Sequence, residues 1–347
     1  MSEQAVMQQK AVNAVRLGIV VIGRNEAPRL RATLDAVRSA GATVVYVDSN
    51  STDGSPDIAT EMGVDTLRIT EGQLTAARGR RTGMEQLLSD EPGLEYIQFI
   101  DGDCELSPGW IEDAVEFLEA NPQAGAVAGR LRERRADESL LVRLVDVEWD
   151  LPVGRIDVVG GISMMRVEAL RKAGGWSDGL IAGEELDLSM RMKEAGFTLH
   201  RLERDMCLHD IGITRLSEFW RRSVRTGFAY AQLAWTHGRT GPRRWTTRTI
   251  GAAVYGFGLP ILLIAGVFTH WSVSAVGAVG YAILIARVAL WRRGRGDPWR
   301  VAIAYGAIIA LCKTAHAIGA VRFLLARIAG RPGAIIEYKT PAATRTD

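Results

Sequence analysis

From Thr249 to Ala286 the chain runs for 38 residues without an Asp, Glu, Lys or Arg. A helix that crosses a bilayer takes about 20 predominantly apolar residues, so this stretch has room for two. Pro260 and the many glycines in it are tolerated in bilayer helices. The polar break Thr269-His270-Trp271 separates Ile250–Phe268 from Ser272–Leu290, which predicts a tight helical hairpin over about 250–290. A hairpin buried in a soluble domain is the alternative, and the length without charge weighs against it. A third apolar segment, Val301–Val321, contains Lys313 and His316. A lysine at mid-bilayer costs about 2.5–3.5 kcal/mol on insertion scales, so a full crossing and an interfacial or re-entrant helix are both open.

Charge divides the chain at the same place. Residues 1–238 hold 27 basic and 37 acidic side chains, whereas residues 239–347 hold 15 and 3. Arg239, Arg243, Arg244 and Arg248 precede the hairpin, and Arg292, Arg293, Arg295 and Arg300 follow it. Basic flanks prefer the cytoplasmic face, so both ends of the hairpin, and residues 1–238 with them, are expected there. A third crossing would carry Arg322, Arg327, Arg331 and Lys339 outside, against that preference. Met1–Arg16 is polar and lacks the apolar centre of a secretory signal. The expected organisation is therefore residues 1–238 (core 17–230) on the cytoplasmic side of the cytoplasmic membrane, and a multi-pass membrane region over 239–347. The 47% apolar content excludes a disordered chain. Cys104, Cys207 and Cys312 are far apart and lack CxxC spacing, which suggests neither bridges nor a cysteine-type zinc site. The positive charge sits around the hydrophobic segments, so nucleic acid is not an expected partner.

The first part alternates between strand and helix patterns. Leu17–Gly23, Thr43–Val47, Tyr96–Ile100 and a short run over Ala126–Gly129 read as strands. Helical spacing covers Arg29–Ser39, Ser55–Met62, Trp110–Ala120 and the stretch from Gly183 to Ala195. This predicts an α/β domain with a mainly parallel central sheet and ligands beyond the carboxyl ends of its strands.

Polar clusters fall at that edge. Asp101 and Asp103 stand two apart at a strand end, where their side chains can project together. Such a pair repels itself, and a divalent cation completed by substrate phosphates, or a shared proton, relieves the repulsion. A solvated Asp-Gly turn is the plain alternative. Asp48 at the tip of the second strand could accept from a base or ribose, while Asp53 suits capping. Glu184 and Glu185 open a helix whose dipole favours their charge, and an ionised carboxylate there could serve as a general base. Asp187 and Arg191 form an (i, i+4) pair with a possible structural role. Arg78, Arg80 and Arg81 could fork onto phosphate or form a solvated face. His209 lies near a strand end and is a structural residue or a metal ligand. Leu216–Trp235 mixes Phe219, Trp220, Phe228, Tyr230 and Trp235 with Arg221, Arg222 and Arg225, which suits an interfacial helix, an acceptor or pyrophosphate grip, or a core helix.

Six stretches in order carry a resemblance: VVIGRNEAPRL (20–30), VYVDSNSTDGSPDIA (45–59), GRRTG (79–83), FIDGDCEL (99–106), GGISMMRVEAL (160–170) and GWSDGLIAGEELDLSMRMKEAGF (175–197). Together they resemble the inverting family 2 glycosyltransferases of GT-A fold, over about residues 17–230. The resemblance implies that Asn25, Glu26 and Asp48 line a nucleoside site and that Arg80 approaches the donor phosphates. It implies that Asp101 and Asp103 serve ribose and a divalent metal, Mg²⁺ or Mn²⁺. It further implies that His209 completes the metal site and that Glu185 is the catalytic base, with Glu184 as a rival. Two positions depart from the family pattern: the usual Asp base is Glu185, and the Asn usual after the phosphate-facing arginine is Arg81. FWRRSVRTG stands where processive synthases carry QxxRW, which favours transfer of one or few sugars. The implied partners are a nucleotide-sugar donor, a glycan or lipid-linked acceptor in envelope or exopolysaccharide synthesis, and membrane lipid. Transfer to polyprenyl phosphate and a non-catalytic membrane-tethered sugar-nucleotide binder are the rival functions.

Overall fold

The computed structural model describes residues 16–178, 180, 183–213, 215–237 and 244–330. The polar stretch 1–15, the boundary at 238, Arg239, Arg243, Arg331 and Lys339 lie outside the described residues. The chain forms two compact units, one from residues up to 136 with 145–211 and the other from 137–144 with 212 onward.

The first unit begins with β1 (Leu17–Gly23), whose run of β-branched residues is buried on both faces. Burial on both faces is what a central parallel strand requires. α1 (Ala27–Arg38), β2 (Thr43–Asp48), α2 (Ser55–Glu61) and β3 (Asp65–Arg68) follow, then α3 (Ala76–Asp90) and β4 (Tyr96–Asp101). β3, β2, β1 and β4 are parallel neighbours in that order. β3 has only one fully apolar residue and none of its side chains is buried, which is why no strand pattern announces it.

Beyond β4 the sheet is mixed. β5 (Cys104–Leu106), α4 (Trp110–Ala120) and β6 (Ala124–Glu133) come next, then α5 (Leu140–Trp149), whose residues up to 144 belong to the second unit, β7 (Gly154–Ile156) and β8 (Ser163–Arg166). α6 (Val167–Lys172), α7 (Glu184–Glu194) and β9 (Thr198–His209) complete the unit. β8 is antiparallel to both β4 and β6, and β9 runs parallel to β6 but antiparallel to β5 and β7. The expected strand over 126–129 is thus the start of a ten-residue one. The core lies on both sides of the sheet and is centred on Ile19, Leu30, Leu34, Tyr46, Ile97, Phe99, Trp110 and Trp176, all fully buried.

The second unit is helical: α8 (Leu216–His237), α9 (Arg244–Ala253), α10 (Leu259–Phe268), α11 (Trp271–Arg293) and α12 (Trp299–Ile328). A π-turn, Val254–Gly258, joins α9 to α10. It directly precedes Pro260, whose missing N–H removes a rung from an α ladder, and the wider turn accommodates the loss. Three helical stretches are long and apolar enough to cross a membrane: Trp245–Phe268, Trp271–Arg293 and Trp299–Ile328. The first two form the expected hairpin, with the break at Thr269 and His270. His270 caps α11 by accepting the Ser272 N–H at 3.3 Å. The third is one continuous helix of 30 residues through Lys313 and His316. Val267, Phe268, Trp271, Val276 and Ile283 all point outward, which an aqueous surface would not favour.

α8 packs along α12. Phe228 meets Phe323 edge to face at 5.4 Å, and Arg327 lies over the Trp235 ring at 5.5 Å. At Gly227 and Gly319 the two backbones come so near that an added methyl would overlap the opposite main chain. Phe219, Val224, Phe228 and Leu233 are buried, so α8 has a packed face beside its basic one.

Candidate active site

The loops after β1 and β2 are stitched together by their polar residues. Asn25 adopts φ 58°, a left-handed conformation that asparagine tolerates better than most side chains. Its N–H donates to Ser51 Oγ at 2.9 Å, and its Oδ1 accepts the Thr52 N–H at 2.9 Å. Glu26 is buried, its N–H donates to Ser55 Oγ at 3.0 Å, and its carboxylate pairs with Arg29 at 3.1 Å. Asp48 is fully buried and accepts from the Ser51 N–H at 2.9 Å and the Tyr46 hydroxyl at 3.2 Å. Burial first, and then the Asp48 charge, push the Tyr46 hydroxyl well above its ordinary range. Asp53 accepts the N–H groups of Ala27 and Ser55 at 3.0 and 3.1 Å, a bracing role like the capping its sequence suggests.

Arg80 is the hub. It sits in the second turn of α3 with only 4% of its surface exposed. One Nη donates to Asp101 at 2.8 Å and the other to Glu184 at 2.9 Å. The Trp176 ring lies 5.1 Å beneath the guanidinium, and Phe99 meets that indole edge to face at 5.3 Å. Burial works against the charge, but Asp101, Glu184 and Glu185 outweigh it and raise the guanidinium's proton affinity. Gly161 allows this packing, because a methyl there would overlap the guanidinium. Arg80 thus joins the end of β4 to the start of α7, segments far apart in sequence. Arg81 points elsewhere, to Glu85 at 2.8 Å and Asp178 at 3.5 Å.

Glu184, Glu185 and Asp187 occupy the first turn of α7, which Gly183 opens at φ 82°. Glu184 is committed to Arg80. Asp187 accepts from Ser177 at 2.8 Å and from Arg191 at 2.6 Å, and Arg191 also reaches the Gly175 carbonyl. That network is structural. Glu185 is half-buried, and its backbone carbonyl accepts from Ser189 at 2.6 Å. Burial first, then the neighbouring Glu184 charge, raise the Glu185 carboxyl from 4.5 to about 8.

Asp103 and His209 meet across the antiparallel β5–β9 pair, whose register sets Cys104 opposite His209. His209 Nε2 lies 3.4 Å from Asp103, and its Nδ1 lies 3.7 Å from Glu133. Trp149 meets the imidazole edge to face at 4.6 Å. Asp103, Cys104 and His209 bring an oxygen, a sulfur and a nitrogen within 4.8 Å of one another. The donor set suits a divalent ion: a carboxylate and an imidazole converge, with a second carboxylate, Glu133, behind the ring. Cys104 fits less well. Burial holds its thiol well above its ordinary range, and the thiol donates to Asp103 at 3.4 Å.

Trp176, Gly161, Glu133 and Trp149 were not singled out by sequence. Trp176 and Gly161 lie inside the matched stretches 175–197 and 160–170, and their place in those stretches was the available signal. Nothing local marks Glu133 or Trp149.

Residues 18–143 match the model for "Glycosyl transferase family 2". The pre-mycofactocin glycosyltransferase of Mycobacterium tuberculosis (strain H37Rv) is 25% identical over 274 residues, covering 72% of this chain and 56% of that protein. The probable glycosyltransferase YdaM of Bacillus subtilis is 24% identical over 201 residues, covering 52% and 47%. The chain thus spans about half the length of these relatives. A mannosyltransferase from Pyrobaculum calidifontis, solved with GDP-Man and Mn²⁺, has a TM-score of 0.53 at 19% identity, covering 91% of this chain and 94% of that one. Model match, relatives and fold converge: residues 18–143 are similar to glycosyl transferase family 2, the unit that holds them has a GT-A fold, and three apolar helices of membrane-crossing length follow.

Proposed function

We propose that this chain is a membrane-anchored, inverting glycosyltransferase. It moves a sugar from a nucleoside-diphosphate sugar to a hydroxyl of a glycan or lipid-linked acceptor in envelope or exopolysaccharide synthesis. The observation that carries the reading is the Arg80 bridge, which draws the Asp101 strand end and the Glu184–Glu185 helix start into one constellation. In this reading residues 1–238 work on the cytoplasmic side and the membrane region begins at 239.

Glu185 is the base. Glu184 is occupied by Arg80, whereas the Glu185 carboxyl has a proton affinity poised near working pH. Glu185 takes the proton of the acceptor hydroxyl, that oxygen bonds to the anomeric carbon, and the carbon–oxygen bond to the diphosphate breaks with its electron pair leaving on the nucleotide. A single displacement inverts the anomeric centre. Asn25, Glu26 and Asp48 shape the nucleoside end, Asp101 faces the ribose, and Arg80 orients the carboxylates around the donor phosphates. Asp103 and His209 would hold Mn²⁺ or Mg²⁺. When bound, the ion supplies positive charge that favours departure of the diphosphate.

The test is a donor screen on the detergent-purified full chain, following released nucleoside diphosphate with polar acceptors and, separately, with a polyprenyl phosphate. Donor-dependent release with a hydroxyl acceptor, and product of inverted configuration by NMR, are expected. Donor binding without product in every acceptor arm would make the chain a tethered sugar-nucleotide binder. Product with polyprenyl phosphate alone would move the acceptor to a lipid phosphate.

A further inference from the structure

His209 sits on the middle one of three neighbouring strands, β6, β9 and β5. The parallel register of β6 with β9 sets Glu133 opposite it. From the other side, the antiparallel register of β5 with β9 sets Cys104 opposite it, next to Asp103. The imidazole is therefore flanked by two carboxylates, one toward each ring nitrogen. Asp103 lies 3.4 Å from Nε2 and Glu133 lies 3.7 Å from Nδ1. The Glu133 side chain keeps 1% of its surface exposed, so water screens it little.

Glu133 is held from three directions. Its N–H donates to Asp146 at 3.0 Å, its Oε2 accepts the Ile211 N–H at 3.2 Å, and its Oε1 accepts the Arg135 N–H at 3.4 Å. Trp149 meets the imidazole edge to face at 4.6 Å, which restricts rotation of the ring. Nδ1 is buried and has no hydrogen-bond partner among the described residues. A neutral imidazole carries one proton, on one nitrogen or the other. A bare lone pair on Nδ1 would face the Glu133 carboxylate in a buried setting, which costs free energy. A proton on Nδ1 turns the same contact into attraction. That choice leaves the lone pair on Nε2, the nitrogen that faces Asp103.

We propose that Glu133 is a positioning residue for the metal site: it holds the His209 proton on Nδ1 and so keeps the Nε2 lone pair available to a divalent ion beside Asp103. A carboxylate behind a ligating imidazole also makes that imidazole a stronger donor. The inference rests on the metal reading of Asp103 and His209, and adds to it a residue that acts through the imidazole.

The test measures Mn²⁺ affinity of the full chain in detergent, by paramagnetic resonance, in a double-mutant cycle. Glu133→Gln removes the charge and keeps an oxygen for the Ile211 N–H. It is expected to weaken Mn²⁺ by about tenfold, the lower end of what losing such an outer partner costs. In a His209→Ala background the same change should shift the affinity by less than about twofold, because Glu133 then has no imidazole to act through. Equal loss in both backgrounds overturns the proposal, since a general charge effect or a folding role needs no histidine. So does an unchanged affinity in Glu133→Gln. A second measurement uses the parent chain and does not depend on how a variant folds: ¹⁵N NMR of histidine-labelled protein loaded with Mg²⁺. The imidazole whose signals trace Mn²⁺ broadens most should carry its proton on Nδ1, and a proton on Nε2 overturns the proposal. Failure of the parent to bind Mn²⁺ removes the metal reading and the proposal with it, whereas Mn²⁺ binding indifferent to Glu133 removes the proposal alone.

Discussion

Glu185 and Arg80 illustrate how neighbours set the chemistry of a side chain. Two glutamates in one helical turn repel; Arg80 hydrogen-bonds Glu184 directly and reaches Glu185 only through its charge, too weakly to offset burial and Glu184. Glu185→Gln should therefore lower turnover by about 10²–10⁴-fold with donor binding retained, read by product release against donor affinity. If Glu185 is the base, kcat/KM rises with pH along a limb near 8, the value to which burial and Glu184 push its carboxyl. The stability effect has the opposite sense. A carboxyl whose folded value exceeds its unfolded 4.5 favours the fold while protonated, so this contribution is lost as pH rises from there through about 8. Melting curves at about pH 6 and about pH 9 should show a smaller alkaline loss in Glu185→Gln than in the parent. Arg80→Met leaves two carboxylates without their counter-charge and should cost about 3–5 kcal/mol, seen as a lower melting temperature. A change that spared stability would show that the bridge is dispensable to the fold.

At the level of elements, legibility followed burial and locality. The apolar runs of β1, β2 and β4 announce buried strands, and the acidic ends of β2 and β4 mark the edge where ligands are expected. The half-exposed edge strand β3 has no such pattern. The Arg80–Glu184 pair spans 104 residues, and the Asp103–His209 meeting depends on the β5–β9 register, so neither could be read from local spacing. Nor could the length of β6, whose far end places Glu133 behind His209. Gly161→Ala tests whether the close backbone approach matters: its methyl must push the Arg80 guanidinium aside. Turnover should fall while the strands of the sheet persist by circular dichroism. In α8, substituting Gly227 by Leu should separate it from α12 and lower the melting temperature of the helical unit, because main chain rather than side chain stands opposite.

The whole molecule joins an acidic domain to a basic, apolar helical unit, and each half makes a different demand on solvent. A metal dependence would belong to the first half. Chelation should abolish product release and Mn²⁺ should restore it more effectively than Mg²⁺, since imidazole suits the transition metal better. Titration of Mn²⁺ followed by its paramagnetic resonance should show tight binding that is lost in Asp103→Asn and weakened in His209→Ala. A guanidinium gripped by two carboxylates over an indole still keeps donors in reserve: the Arg80 Nε–H has no hydrogen-bond partner among the described residues, and each Nη directs one hydrogen bond to a carboxylate. An anion that reached those spare donors would not have to displace Asp101 or Glu184. Docking of such an anion and retention of both acidic groups are then compatible, and the arginine acts as a joint that can hold three neighbours at once.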